Sequence, residues 1–423
     1  MIGRRVPRGV KAARPTVRTL MRRIVPRLVA WLQRAWPATA CVVVRGYPDL
    51  EGNAVEIVRA LARRYSGTVV WINGPSSEVL SKLGIATSER MNVLPSMRSL
   101  RALRAYLRAE VVLFTHGIYG EPQPARNRVT VNLWHGEPIK GGALFPHRCA
   151  PGNSSTYIVG STSLLAARKS ALAGLPISAY LHLGNPRTDG LFNPARPEEL
   201  SAVGLEPQRP FVLWMPTFRV ARSTSGSWSD TADTAAAAAI TEGFRPCVGT
   251  LMAAGIQVAV RPHPLDSQSR EVRGALVLDD GLLEEHGLLL YRLLGASAGL
   301  ITDVSSVWID YLMLDRPVGF FMPDKAAVSD RRDLFPAQDH GGFPGLELAD
   351  TPSFEAFRDD VLGKGAATRD LRTQVRLRLG LTESSHVADD ILTDLERRGA
   401  FRHGRLRPAE DDLLVGAPTS APG

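Results

Sequence analysis

Short apolar runs alternate with amphipathic stretches through most of this 423-residue chain. Cys41-Val42-Val43-Val44 reads as a buried strand, being too short for a helix and rich in β-branched residues. Residues 54–65 bring Val55, Val58, Leu61 and Ala62 to one face at helical spacing. Further strands are predicted at 68–73, 91–94, 111–114, 130–134 and 157–159, interleaved with helices at 79–82, 99–108 and 163–172. Such alternation predicts a mostly parallel sheet whose ligands gather at the strand carboxyl ends.

Residues 185–198 are loop-rich and predict an inter-domain boundary. A second alternating set follows, with strands at 211–215, 257–260, 276–278, 300–302 and 318–321. Its helices are expected at 240–254, 287–294 and from Ser305 to Leu314, then at 353–362, 368–380 and 386–398. Residues 220–239 are rich in Ser, Thr and Ala and read as a mobile loop, and 401–423 as a frayed tail. The expected organisation is an α/β chain with an arm over 1–40, Rossmann-like domains over 41–195 and 196–398, and a flexible tail over 399–423.

The arm changes the picture of partners. Residues 1–48 carry eleven basic side chains and no acid, whereas the whole chain has a net charge of +9. The globular part is thus slightly acidic, which argues against nucleic acid as a partner. Within the arm, 17–36 predicts an amphipathic helix. Leu20, Met21, Ile24, Val25, Leu28, Val29, Leu32 and Trp36 share one half of the wheel, opposite Arg22, Arg23, Arg27 and Arg34. Pro26 should kink or split it. A basic face beside an apolar face with Trp31 and Trp36 suits an anionic membrane surface. The competing reading is a helix packed on the protein's own core. Arginines interrupt every apolar run before the length of a span, and they also break the apolar region a signal peptide needs. Composition is otherwise ordinary, 44% hydrophobic and 22% charged. Cys41, Cys149 and Cys247 are scattered, with no CxxC pair, so a reducing cytoplasm is expected. The location expected for the chain is cytoplasmic, peripheral on the inner face of the membrane.

Candidate chemistry lies at strand ends. His135, in Trp134-His135-Gly136, should follow a strand, with the glycine allowing close backbone approach. An imidazole there can take a proton from a hydroxyl at neutral pH. His263, in Arg261-Pro262-His263-Pro264, also follows a strand, and with Arg261 suits a diphosphate shedding charge. The turn Thr302-Asp303-Val304-Ser305-Ser306 leads from strand to helix. Ser305 should cap that helix, and the two hydroxyls beside unpaired N–H groups would seat a phosphate. His116 also follows a strand, but nothing near it in sequence supports chemistry. The chain has no GxGxxG, P-loop, kinase signature, HxH or HExxH. That lowers the weight of ATP, NAD and a histidine metal site.

Taken in order, the motifs resemble those of the CDP-glycerol glycerophosphotransferase family, which builds teichoic-acid-type polymers. The resemblance rests on Asp49-Leu50-Glu51-Gly52-Asn53, Leu133-Trp134-His135-Gly136-Glu137-Pro138-Ile139-Lys140 and Gly184-Asn185-Pro186-Arg187-Thr188-Asp189. It continues through Pro216-Thr217-Phe218-Arg219, Arg261-Pro262-His263-Pro264, Thr302-Asp303-Val304-Ser305-Ser306 with Asp310, Arg316-Pro317-Val318 and Phe343-Pro344-Gly345. It covers about residues 41–395. Val304 stands where the family usually has tyrosine, Glu137 where a small residue is common, and Gly141-Gly142 where a further lysine often follows.

The resemblance implies a GT-B-like architecture and a CDP-alditol donor, CDP-glycerol or another, held mainly by the C-terminal half. A hydroxyl of a lipid-linked or polymeric acceptor would attack the distal phosphorus and release CMP. His135 is then the candidate base, and His263 the second candidate catalytic residue. Gly136, Lys140, Thr217, Arg219, Arg261, Asp303, Ser305, Ser306 and Asp310 are the candidate substrate-binding residues. No cofactor is implied, and Asp303 with Asp310 alone does not make a magnesium site, so metal dependence stays open. Two alternatives remain at this point: a GT-B glycosyltransferase using a nucleotide sugar, and a noncatalytic membrane-surface scaffold.

Overall fold

The computed structural model describes residues 17–47, 50–85, 88–119, 125, 127–139, 155–217, 234–262, 272–325, 342–365 and 368–408, with the backbone alone at 17–23, 26 and 234–237. Two parallel sheets form. The first comprises β1 Thr39–Arg45, β2 Thr68–Ile72, β3 Met91–Leu94, β4 Ala109–Phe114, β5 Val129–Asn132, β6 Tyr157–Gly160 and β7 Tyr180–His182, in the order β3-β2-β1-β4-β5-β6-β7. The second comprises β8 Phe211–Met215, β9 Gln257–Val260, β10 Leu276–Val277, β11 Gly299–Thr302, β12 Val318–Phe320 and β13 Leu346–Glu347, in the order β10-β9-β8-β11-β12-β13. This is the expected GT-B-like pair of Rossmann-like sheets. Strand order reverses between β1 and β4, and again between β8 and β11. Those reversal points open the crevices where parallel sheets bind ligands.

Among the described residues the helices are α1 Val17–Ala35, α2 Gly52–Arg64, α3 Ser77–Lys82, α4 Leu100–Arg108, α5 Ala166–Leu172, α6 Asp189–Phe192, α7 Pro197–Ala202, α8 Thr234–Ala253, α9 Asp280–Glu285, α10 Leu290–Ala296, α11 Val307–Tyr311, α12 Thr351–Val361, α13 Arg369–Leu379 and α14 Val387–Arg397. They cover both faces of the strands, whose side chains are buried on both sides. On the first sheet, Val42 and Val44 pack with Ala54, Val58 and Leu61 of α2, while Val43 packs with Ala102 and Tyr106 of α4 and Val29 of α1. On the second, Val212 and Trp214 face Phe244 and Leu251 of α8, and Leu213 faces Leu293 and Trp308.

Several expectations are corrected. α14, assigned with the second domain on sequence, packs Val387, Ile391, Leu392 and Leu395 into the core beneath the first sheet. The tail is not frayed from 399 as far as 408. Glu110, 2% exposed, accepts from the N–H groups of Arg402, His403 and Gly404 and from Tyr65 Oη. A buried carboxylate needs such donors, and these residues supply them. α8 begins at Thr234, inside the stretch read as a loop, because five alanines at 235–239 favour helix. α1 runs unbroken across Pro26. The boundary region 185–198 holds a 3₁₀ turn, Pro186–Thr188, with α6 and part of α7. β7 and β13 have only three and two residues, too few for periodicity to reveal. Among the described residues, no helix is long and apolar enough to cross a membrane.

Candidate functional site

β5 ends at Asn132, two residues before the expected Trp134. The buried Asn132 side chain accepts from Trp134 N at 2.9 Å, an Asx turn that stops the ladder. Trp134 then adopts a left-handed φ of 54° and Gly136 a φ of 138°. This double reversal lifts His135 out of the sheet. Its ring stacks on Trp134 (centroids 5.0 Å apart, 13° between planes) and on His116 at the end of β4 (4.6 Å, 18°). His116 has no motif around it in the sequence. It lies beside the reversal point between β1 and β4, together with Arg45 and Tyr47.

The glycine does what its position suggested. A Cβ on Gly136 would stand 2.7 Å from Ser306 Oγ and 3.0 Å from Arg187 Nη2. The His135 loop of the first sheet therefore touches the serine turn of the second, and the φ of 138° at Gly136 is one that glycine adopts without strain.

Arg187 ties this junction together. It donates from Nη1 to His135 O at 3.0 Å, and from Nε and Nη2 to Asp310 Oδ2 at 3.1 and 2.7 Å. Its backbone N–H donates to Asn53 Oδ1, and Asn53 Nδ2 reaches Trp134 O. Tyr291 Oη donates to the same Asp310 oxygen at 2.6 Å, and Asn185 Nδ2 to the other at 3.1 Å. Burial opposes the charge of Arg187, but Tyr291, Asp310 and Glu51 more than offset this and hold its pKa above the ordinary guanidinium value. Burial lifts the Glu51 carboxyl to about 7, against the pull of Arg187. Asp310 is fully buried, and both its oxygens are taken. Here it positions Arg187, with Tyr291 and Asn185 sharing its two oxygens.

Glu137, the departure beside Gly136, is buried as well. Its carboxylate accepts from Ser161 N and Oγ, Thr162 Oγ1 and Lys169 Nζ, the last at 3.1 Å. Burial would raise its pKa, but Lys169 and the Ser161 donors outweigh that and keep it below the usual carboxylate range. The substituted position thus brings its own counter-charge from α5.

The second sheet contributes from its own reversal point. Asp303, 2% exposed, accepts from Thr217 N at 2.9 Å and from Thr217 Oγ1, pinning the end of β8 to the end of β11. Ser305 does not cap the helix a turn ahead as expected. Ser306 already has helical dihedrals, and Ser305 Oγ comes only within 3.5 Å of Val307 N, too far for a good bond. Because α11 has five residues, its dipole is small. Arg261, 7% exposed, donates to Asp280 and to Pro262 O, while its Nε has no acceptor among the described residues. Burial lowers its pKa, opposed by Asp280. Lys140, Arg219 and His263 lie outside the described residues.

The family described as CDP-Glycerol:Poly(glycerophosphate) glycerophosphotransferase matches residues 28–339, well over half of the chain. No curated protein matches at a significant level. Among solved structures, the wall teichoic acid polymerase TagF aligns over 90% of this chain and 96% of its own, at 16% identity and a TM-score of 0.63. A variant of TagF soaked with CDPG aligns over 90% of this chain and 94% of its own, at 14% identity and a TM-score of 0.65. At such identities the likeness speaks for the fold.

Proposed function

The chain belongs to the CDP-glycerol:poly(glycerophosphate) glycerophosphotransferase family, and from that premise we propose that it moves a phosphoglycerol or related phosphoalditol unit from a CDP-alditol to an acceptor hydroxyl. The observation that supports this most is the contact of the His135-Gly136 loop with the Ser306 turn. It brings a candidate base of one sheet to a candidate phosphate seat of the other. In the proposed step the acceptor oxygen attacks the distal phosphorus. The bond from that phosphorus to the bridging oxygen breaks, CMP leaves, and the hydroxyl proton passes to His135. Ser305, Ser306, Thr217 and Arg261, with Lys140, Arg219 and His263 from the motifs, would hold the diphosphate. Transfer of this kind depends chiefly on positioning and charge stabilisation. Incubation with CDP-glycerol, CDP-ribitol and a panel of UDP- and GDP-sugars tests it. CMP release from a CDP-alditol alone is expected. UDP or GDP release would favour sugar transfer, and no turnover of any donor would favour a scaffold.

The acceptor proposed is lipid-linked or polymeric, and the site of action the inner membrane surface. α1 supports this in an unexpected way, because its apolar side is divided. Val29, Ala30 and Gln33 are buried, and Gln33 Nε2 reaches Tyr106 O of α4. Ile24, Val25, Leu28 and Trp31 stay exposed, the last at 61%, near Arg27 and Arg34. Alongside, α4 exposes Leu100, Arg101 and Arg104, in a stretch without acids from Met91 to Ala109. An apolar stripe among arginines matches an anionic bilayer. Truncating the arm would open the core around Val29, so surface substitutions are the cleaner test. Leu28→Ser with Trp31→Ser is expected to weaken binding to phosphatidylglycerol vesicles by tenfold or more, given about 1.5–3 kcal/mol for each large apolar side chain buried. Added salt should weaken the parent protein's binding too. Unchanged partitioning of the double variant would rule this surface out.

A further inference from the structure

We propose that His116 is a positioning residue for His135, whose ring it holds face to face and whose protonated form it favours. The inference rests on the reading of His135 as the base. His116 stacks on His135 with centroids 4.6 Å apart and planes 18° from parallel, and Tyr47 meets the His116 ring edge-on at 5.5 Å. These contacts limit rotation of both rings. A base whose plane is fixed meets the acceptor hydroxyl with its nitrogen lone pair aligned.

The proton inventory shows which form of His116 does this. Thr115, 1% exposed, accepts at Oγ1 from Tyr47 N at 3.1 Å, and the same oxygen lies 3.0 Å from His116 Nδ1. A buried hydroxyl needs an acceptor for its own proton. The hydroxyl therefore donates to Nδ1, which places the ring proton of His116 on Nε2 and leaves the ring neutral. The surroundings agree. Although His116 is exposed at its outer edge, the packing around its ring and the nearby Arg45 guanidinium hold its pKa below the usual imidazole value.

A neutral π-face against His135 has a consequence for proton transfer. When His135 takes the acceptor's proton it becomes a cation, and a cation is attracted to the face of a neutral ring. The charged groups near the pair work the other way. Arg45 lies by His116, and Arg187 holds His135 O at 3.0 Å. Both disfavour a second positive charge. Stacking on His116 and Trp134 offsets that repulsion, which gives the stack a role beyond packing two exposed rings together.

The test uses the full chain, reading the His135 imidazole by NMR of ¹⁵N-histidine-labelled protein and turnover by CMP release against pH. His116→Ala is expected to lower the pKa of His135 by about 0.5 pH units. The acid limb of kcat/KM should move down with it, and kcat should fall about tenfold. His116→Phe, which keeps a neutral ring, should restore most of both. Thr115→Val keeps the imidazole but releases Nδ1, so His116 can take a proton and repel that of His135; its acid limb should also move down. A residue that merely fills space would lower the melting temperature and leave the acid limb in place, which overturns the proposal. So would a His116→Ala protein with unchanged His135 titration and turnover. If His116→Ala does not fold, Thr115→Val decides alone. His135→Ala separates the two readings. If it stays active, the base assignment fails. If it is inactive while the His116 and Thr115 variants behave as the parent, only the positioning role fails.

Discussion

His135→Ala is expected to lose turnover by on the order of 10²–10⁴-fold, the range for a positioned general base, and still to bind CDP. The loop should survive the change. Its conformation is held by Asn132 on Trp134 N, Asn53 on Trp134 O and Arg187 on His135 O, none of which involves the imidazole. His263→Ala is expected to lose turnover and also to bind CDP more weakly, because its motif follows β9 of the half proposed to hold the donor. CMP release together with calorimetric titration of CDP reads both effects, with melting curves as the folding control. Loss of CDP binding in His135→Ala with normal binding in His263→Ala would exchange the donor and acceptor sides. Near-parental turnover in both folded variants would end the catalytic reading.

The second large effect is expected at Asp310. Asp310→Asn leaves the buried Arg187 charge without its counter-ion, and breaking a buried pair from one side costs roughly 3–5 kcal/mol. Arg187 also orients His135 through its carbonyl, so turnover should fall along with stability. Arg187→Met combined with Asp310→Leu separates the two consequences. Removing both charges together takes away the desolvation penalty as well as the attraction, so part of the stability should return, less the bonds that Tyr291 Oη and Asn185 Nδ2 lose. Activity should not return, because the double variant lacks the Arg187 bond to His135 O. Urea denaturation and CMP release measure the two quantities. A double variant with parental turnover would reduce the Arg187–Asp310 pair to a structural tie. Single variants costing under about 1 kcal/mol would contradict its burial, since exposed pairs are worth that little.

Much of the fold was legible because it is written in local periodicity. The apolar run at 41–44 and the helical spacing from Val55 to Ala62 needed no distant partner to be read. The elements that escaped include β7, β13, α9 and the short helices of the boundary region, where two to six residues carry no periodic signal. Docking was less legible still. The 402–404 backbone is held by Glu110, nearly three hundred positions away, and α14 returns to the first sheet because Val387, Ile391 and Leu395 find their apolar partners there.

The site divides in the same way. Residue type and neighbouring glycine or serine were enough to mark His135, Gly136, Ser305 and Ser306, and eight motifs in order were enough to indicate the family. All of that is information carried along the chain. That Asp310 faces Arg187 instead of solvent, that Asp303 serves Thr217, and that Glu137 meets Lys169 depended on which side chains the closed sheets bring within 3 Å or so of one another. His116 is the clearest case. Its flanking sequence carries no signal, and its significance arises only because β4 and β5 are neighbours in a parallel sheet, so their carboxyl ends set two rings 4.6 Å apart. Motifs determined the chemistry available to this protein. Strand order, which no local stretch encodes, decided which of those groups meet.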